Sequence, residues 1–495
     1  MRDGRRTSGV STGVKAWEPA ALAGILALGI YARTLAPTIS WAHASGDGGD
    51  LIAAVYTGGV PHPTGYPTYL LLGSLFTALW PGDPAYRLNL MSAMAAAGAV
   101  LLLAQTVIQL STRLGSGAGA AQVAGLTAGL ALAFSPVLWS QAVVAEVYTL
   151  HALLFAALLR LAASPGASPF LMGAIWGVGL GNHLTLLLAL PLILLAIARA
   201  REPGQPGHPP WLRLGSGLAL GLAVYLILPL RASVQPVINW GDAHTLAGLG
   251  WLVSGQLYHG YVFSLPLAYW PARLSAWAGL LGAQLTWIGL AVGLFGLARL
   301  AQRDRGLALA SSTTAGLVSL FALGYNTTDS YILLLPAFVV LALWAGFGWA
   351  SALAGLWPRG KYLAGAAAAL GLALPLGLLL SGYSAADASR DRAAAEFAQG
   401  VLAAAPPGAV LVSHSDLYSF VLWYEHYVRG ARPDIAIVDA DLLDYPWYAD
   451  ALIRREPGLI LSEQQGIHAP DRPICQIAAD GRLDCLPASS EGEGS

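Results

Sequence analysis

Apolar runs of membrane-crossing length recur from the N-terminus to about residue 382 and then stop. A helical crossing takes about 20 apolar residues, and backbone within lipid must satisfy its own hydrogen bonds. On that rule the runs predict spans near 18–38, 88–111, 120–138, 144–163, 169–182, 184–199, 211–229, 275–299, 308–325, 331–350 and 362–382, or about eleven crossings. The stretch Thr68–Trp80 is too short to cross and reads as a helix lying at the interface, with Tyr69 and Trp80 at headgroup depth. The region 169–199 must make two short passes turning at Gly181, Asn182 and His183. The first run, Glu18–Pro37, follows Arg2, Arg5, Arg6 and Lys15 and exceeds a signal-peptide core, so it reads as a retained anchor.

After residue 385 the pattern turns polar and alternates: a helix over Asp387–Ala405, a strand over Ala409–Ser413, a helix over Asp416–Val428 and a strand over Asp434–Ala440. That alternation predicts a small α/β domain at 385–488 behind a transmembrane domain at 1–384, with a disordered tail at 489–495. The two cysteines, Cys475 and Cys485, both lie in this second part and could close a short loop if it occupies an oxidising compartment.

Composition agrees with a multi-pass protein: 56% of residues are hydrophobic and 11% charged. The net charge of −1 gives no reason to expect nucleic acid. Lys and Arg concentrate in cytoplasmic loops. With the N-terminus inside, the inner segments collect Arg113, Arg160, Arg199, Arg201, Arg213, Arg299, Arg303, Arg305, Arg359 and Lys361. The outer loops hold only Arg87, Arg231 and Arg273, and Arg33 closes the first span. This orientation, in a plasma membrane of prokaryotic type, puts the C-terminal domain outside the cytoplasm.

Ionisable groups bordering a membrane bundle are costly, and each is a candidate for function. The predicted topology gathers Asp47, Asp50, His62, Arg87, Glu146, His151, His183, Arg231, Asp242 and Asp329 on the outer face. Asp47 and Asp50 are three apart, on one face of any helix that begins there. Desolvation and mutual repulsion would raise one of them into the range of a general base. The same two residues also read as an N-cap and the acid of a capping box. His62 and Tyr66 lie in "HPTGYP", where fixed and permissive backbone alternate to form either a pocket wall or a turn. Glu146 opens an apolar helix as a catalytic acid or as a complement to the helix dipole. His183 reads as a site residue or as a structural hydrogen-bonding group. Arg231 reads as a phosphate clamp or as a snorkelling arginine. No cofactor is called for, and a divalent metal on Asp47 and Asp50 would lack a clear third ligand.

The run Asp47–Tyr69, with "AEVYTLH", "GLGNHLT", "YLILPLRAS", "INWGD", "NTTDSYILLLPAF" and "RPDIAIVDADLLDYPWY", resembles glycosyltransferase family 117 of the GT-C superfamily across nearly the whole chain. Asp47 matches the family's leading acid. Asp50 stands where glutamate is usual, and Thr64 replaces a proline. The resemblance implies a GT-C fold with juxtamembrane helices in the first outer loop. It implies a polyprenyl-phosphate hexose donor, with mannose as the sugar, and a protein, lipid or glycan acceptor. In the implied mechanism Asp47 deprotonates an acceptor hydroxyl, Asp50 and Glu146 tune that base, and Arg231 with His183 steadies the departing phosphate. The anomeric centre is inverted. His62, Tyr66 and Asp242 would complete the substrate pocket. A transporter would use the same outer acids as a gate, but it should show two related halves, and no internal repeat is evident.

Overall fold

The computed structural model describes residues 9–200, 208–462 and 466–487; Arg2, Arg5, Arg6, Arg201 and the tail expected at 489–495 lie outside the described residues. Each apolar segment predicted from sequence falls on a helix. The membrane part runs α1 (Gly9–Thr34), α2 (Gly48–Thr57), α3 (Pro67–Leu79), α4 (Pro84–Arg113), α5 (Ala118–Ala133), α6 (Pro136–Ala142), α7 (Tyr148–Ala163), α8 (Pro169–Leu180) and α9 (Leu190–Arg199). It continues with α10 (Pro210–Leu222), α11 (Ile227–Ala232), α12 (Leu246–Ser254), α13 (Trp270–Arg303), α14 (Arg305–Gly324), α15 (Leu335–Leu356) and α16 (Lys361–Ala386). Among the described residues six helices are long and apolar enough to cross a membrane, or seven if α5 and α6, bent by 65°, form one span. The segments expected at 144–163, 169–182 and 184–199 are met by shorter apolar helices.

Small residues set the packing where backbones approach closely. A Cβ on Gly173 or Gly177 of α8 would lie 2.1 or 2.6 Å from carbonyl oxygens of α10, and one on Gly217 or Gly221 of α10 would strike α8 at 2.0 or 2.3 Å. At the far end of α4 from the outer loop, Arg113 meets Asp304 at 3.0 Å and Arg199 pairs with the same carboxylate. Basic residues assigned to one side by the sequence thus converge on one acid between α13 and α14.

The C-terminal part comprises α17 (Ala393–Ala404), β1 (Val410–Ser413), α18 (Asp416–Trp423), β2 (Ala436–Asp439), α19 (Pro446–Arg455), β3 (Ile460–Ser462), β4 (Gly466–His468), β5 (Ile474–Ile477) and β6 (Leu483–Leu486). Its main sheet has the order β2-β1-β5-β6, with β1 parallel to both neighbours and β6 antiparallel to β5. Cys475 and Cys485 are register partners in the β5–β6 pair and form a disulfide. The helix expected from Asp387 begins only at Ala393, where Asp391 accepts the Ala393 N–H and turns the chain. The helix expected over 416–428 ends as regular α at Trp423 and closes with a wider turn.

The two parts share a hydrophobic core. Leu51 and Ile52 of α2, Tyr69 and Leu70 of α3, Phe420 and Trp423 of α18, and β1 and β2 are buried together. Asp83, which caps α4 by accepting from Ala85 N at 2.9 Å, also accepts from Tyr424 Oη at 3.1 Å and pairs with Arg429 at 2.9 Å. The loop after α1 therefore packs onto the C-terminal domain along α2.

Candidate active site

Asp47 occupies the N-cap position of α2, yet its side chain caps nothing. Asp50 is no capping-box acid either. Fully buried, it accepts the His62 backbone N–H at 2.9 Å and His62 Nδ1 at 2.6 Å on one oxygen, and Trp240 Nε1 at 3.0 Å on the other. The capping reading therefore fails for both residues. Three donors occupy Asp50, which gives it a structural role, because a buried carboxyl group is tolerable only when its lone pairs are used.

The far ring nitrogen of His62, Nε2, lies 3.6 Å from Asp47 Oδ2. The imidazole is boxed by Tyr66, edge-on at 5.0 Å, by Trp240, and by Phe420 stacked at 6.4 Å and 12°. Burial alone would discharge His62, but Asp47 and the hydrogen bond His62 makes to Asp50 outweigh it and push its pKa up to about 9. Asp47 is different in kind: 48% of its side chain is open, although protein surrounds it, so it faces a recess. Enclosure raises its pKa above the ordinary carboxylate value, opposed by His62 and reinforced by Asp50 and Asp329.

Glu146 sits in the turn before α7, 3% exposed, with Oε1 lacking a hydrogen-bond partner among the described residues. It acts electrostatically on His62, Tyr66 and Tyr148. His183 packs on Tyr148 at 5.7 Å and His151 at 5.2 Å, and its Nδ1 lies 2.7 Å from Thr185 Oγ1, so it is a neighbour one layer removed.

The structure thus brings Asp47, Asp50, His62, Tyr66 and Glu146 together and does not bring Arg231 or Asp242 to them. Arg231 donates to Ala54 O and Gly59 O at 3.2 Å and to Ser74 Oγ at 2.8 Å, tying α2 to α3. Asp242 is taken up by Asn239, Gln235 and His244 within its own loop. The residue of "INWGD" that reaches the site is Trp240. A second guanidinium, Arg273 at the start of α13, lines a separate cavity whose link to Asp47 runs through the neighbour of Ser330. It donates to Ser330 Oγ, next in the chain to Asp329, whose charge acts on Asp47, and to Thr327 O at 3.3 Å. Arg273, Trp277, Ser330 and Tyr331 line a cavity of about 340 Å³, where Trp277 Nε1 is buried without a hydrogen-bond partner among the described residues. Leu280 and Tyr331 also wall an adjoining cavity of about 610 Å³ that reaches Trp139, Trp287 and Leu378. Among the described residues no group of three or more His, Cys, Asp and Glu side chains is placed to hold a metal ion.

Residues 47–204 match the model of the protein O-mannosyl-transferase TMEM260 N-terminal domain, and residues 394–457 match TMEM260-associated domain 2. A mouse protein O-mannosyl-transferase TMEM260 is 29% identical over 91% of this chain and 67% of its own length. The Dictyostelium discoideum relative of the same description is 24% identical over 85% of this chain and 56% of its own. The chain therefore spans about two thirds of one relative and just over half of the other. The crystal structure of ArnT from Cupriavidus metallidurans bound to undecaprenyl phosphate superposes with a TM-score of 0.53 at 15% identity, covering 91% of this chain and 89% of that one. At that identity the likeness is one of fold.

Proposed function

We propose that the chain is a GT-C protein O-mannosyltransferase-like membrane protein and that it transfers a hexose, mannose by its relatives' names, from a polyprenyl-phosphate donor to an acceptor hydroxyl. The observation that carries this reading is the division of labour between the two aspartates: Asp50 is saturated by His62 and Trp240, while Asp47 stays open and free to take a proton. In this reading Asp47 abstracts the hydroxyl proton as the oxygen attacks the anomeric carbon, the bond to phosphate breaks in line, and the centre inverts. His62, positively charged below about pH 9, keeps Asp47 ionised until it takes that proton. The unpartnered Oε1 of Glu146 is available to orient a sugar hydroxyl.

The leaving phosphate is an anion, and guanidinium recognises it bidentately. Arg273 shares a cavity with the indole N–H of Trp277, which has no hydrogen-bond partner among the described residues, and we assign it that role over Arg231, which lines neither that cavity nor the adjoining one. Both guanidiniums also bond their own surroundings, Arg273 to Ser330 and Thr327 and Arg231 to α2 and α3. The adjoining cavity offers apolar walls to the lipid tail. The undecaprenyl phosphate bound by ArnT, which shares this fold, supports a lipid-linked donor of that class. If α1 and the short helices α7, α8 and α9 cross in addition to the seven, the bundle makes about eleven passes, with the N-terminus inside and Asp47 outside the cytoplasm. Transfer from labelled polyprenyl-phosphate mannose in membranes, compared between wild type and Asp47→Asn, tests the reading. Full activity in the mutant would remove Asp47 from the base role.

A further inference from the structure

The C-terminal domain contributes to the recess as well as supporting it. Its helix α18 lies directly on the loop that carries Asp47. Trp41 Nε1 donates to Leu417 O at 3.2 Å, Leu417 Cδ1 lies 3.8 Å from where a Cβ on Gly46 would be, and Phe420 stacks on His62. Asp416 precedes Leu417 and stands one helical turn from Phe420, on the same face. Its carboxyl feels burial first, then Asp439, Asp47 and Asp50, which raise its pKa to about 7 against the opposing pull of His62.

This is also the carboxyl end of the parallel strands, the place where open α/β sheets bind ligands. β1 and β2 end in register at Ser413 and Asp439. Asp439 is fully buried there; one oxygen accepts the Asp441 N–H at 3.1 Å and the other has no hydrogen-bond partner among the described residues. Asp441 itself is exposed, 3.4 Å from His414. Asp439 repels Asp416 on one side and Asp441 on the other along this edge, and a cation would relieve that repulsion. The guanidinium of Arg273 lies elsewhere, in the cavity beside α13.

We propose that the strand-end edge formed by Asp416, Asp439 and Asp441 is the acceptor subsite, and that it takes a polypeptide whose hydroxyl residue is flanked by a basic side chain. Asp416 holds the flanking cation while the hydroxyl reaches Asp47. The proposal rests on the transferase reading for its hydroxyl, but its charge preference can be measured alone. Full-length protein in nanodiscs would be titrated, without donor, with two fluorescent serine peptides that differ only in arginine or glutamate beside the serine. The arginine peptide should bind about tenfold more tightly. Asp416→Asn should narrow that ratio, and Asp416→Lys should invert it, which loss of packing alone would not do. Equal affinities in the wild type, no binding of either peptide, or a ratio unchanged in both variants overturns the proposal. Absence of sugar transfer in a parallel assay with donor would instead overturn the transferase reading and leave the charge preference standing.

Discussion

His62 is held by Asp50 at 2.6 Å through Nδ1, and that contact fixes the plane in which its other nitrogen points at Asp47. One carboxylate orients the ring, and the ring in turn polarises the other carboxylate. The first consequence is unequal behaviour of two similar side chains. Asp47→Asn should lower kcat by about 10² to 10⁴-fold with donor KM near wild type, since a positioned base contributes on that scale. Asp50→Asn should leave the base in place but loosen His62, lowering activity less. Steady-state kinetics with labelled donor distinguish the two, and equal losses would contradict the assignment.

A pH profile follows from the same contact. His62 has its folded pKa raised to about 9 from an ordinary value near 6.5. Its charge therefore contributes stability fully below about pH 6.5, and that contribution is lost as pH rises through about 9. Asp47 is raised above the ordinary carboxylate value, so the acid limb should lie above that of a free aspartate. We expect a bell-shaped kcat/KM profile whose alkaline limb sits near pH 9 and moves down in Asp50→Asn.

Gly49 tests the domain contact. A Cβ there would lie 2.3 Å from Phe420 O and 2.9 Å from Phe420 Cβ, so backbone must move. Gly49→Ala should cost about 1–3 kcal/mol in spite of alanine's better helix propensity. It should lower the thermal midpoint in detergent and make the C-terminal domain more easily released by protease.

What sequence alone could locate tracks the range of the interactions involved. The helices were legible because apolar run length is a local property, and Asp47, Asp50, His62 and Tyr66 were legible together because a run of 20 residues holds them. Trp240 and Phe420 were not, since they arrive from 190 residues away by hydrogen bond and from the far domain by stacking. The strands β1 and β2 were legible because all four residues of each are buried and read as mostly apolar runs, whereas β5 and β6, of the same length, mix in exposed positions and leave no such run. Arg231 and Arg273 illustrate the remaining gap: the sequence assigns both to one side, but side-chain direction depends on packing, which charge placement does not encode.

That difference makes the two arginines a paired test of the donor site. Arg273→Gln removes the charged donor beside the unpartnered Trp277 and should cost about 2 kcal/mol of phosphate binding, or roughly thirtyfold in donor KM. Arg231→Gln breaks the bonds to Ala54, Gly59 and Ser74 that hold α2 against α3, so its first effect should be on thermal stability, with donor KM close to wild type in the folded fraction. Donor titrations on both variants, paired with their unfolding midpoints, read the two effects separately. A donor KM that rises for Arg231→Gln and not for Arg273→Gln would return the phosphate to Arg231 and reverse the side of the recess on which the lipid enters.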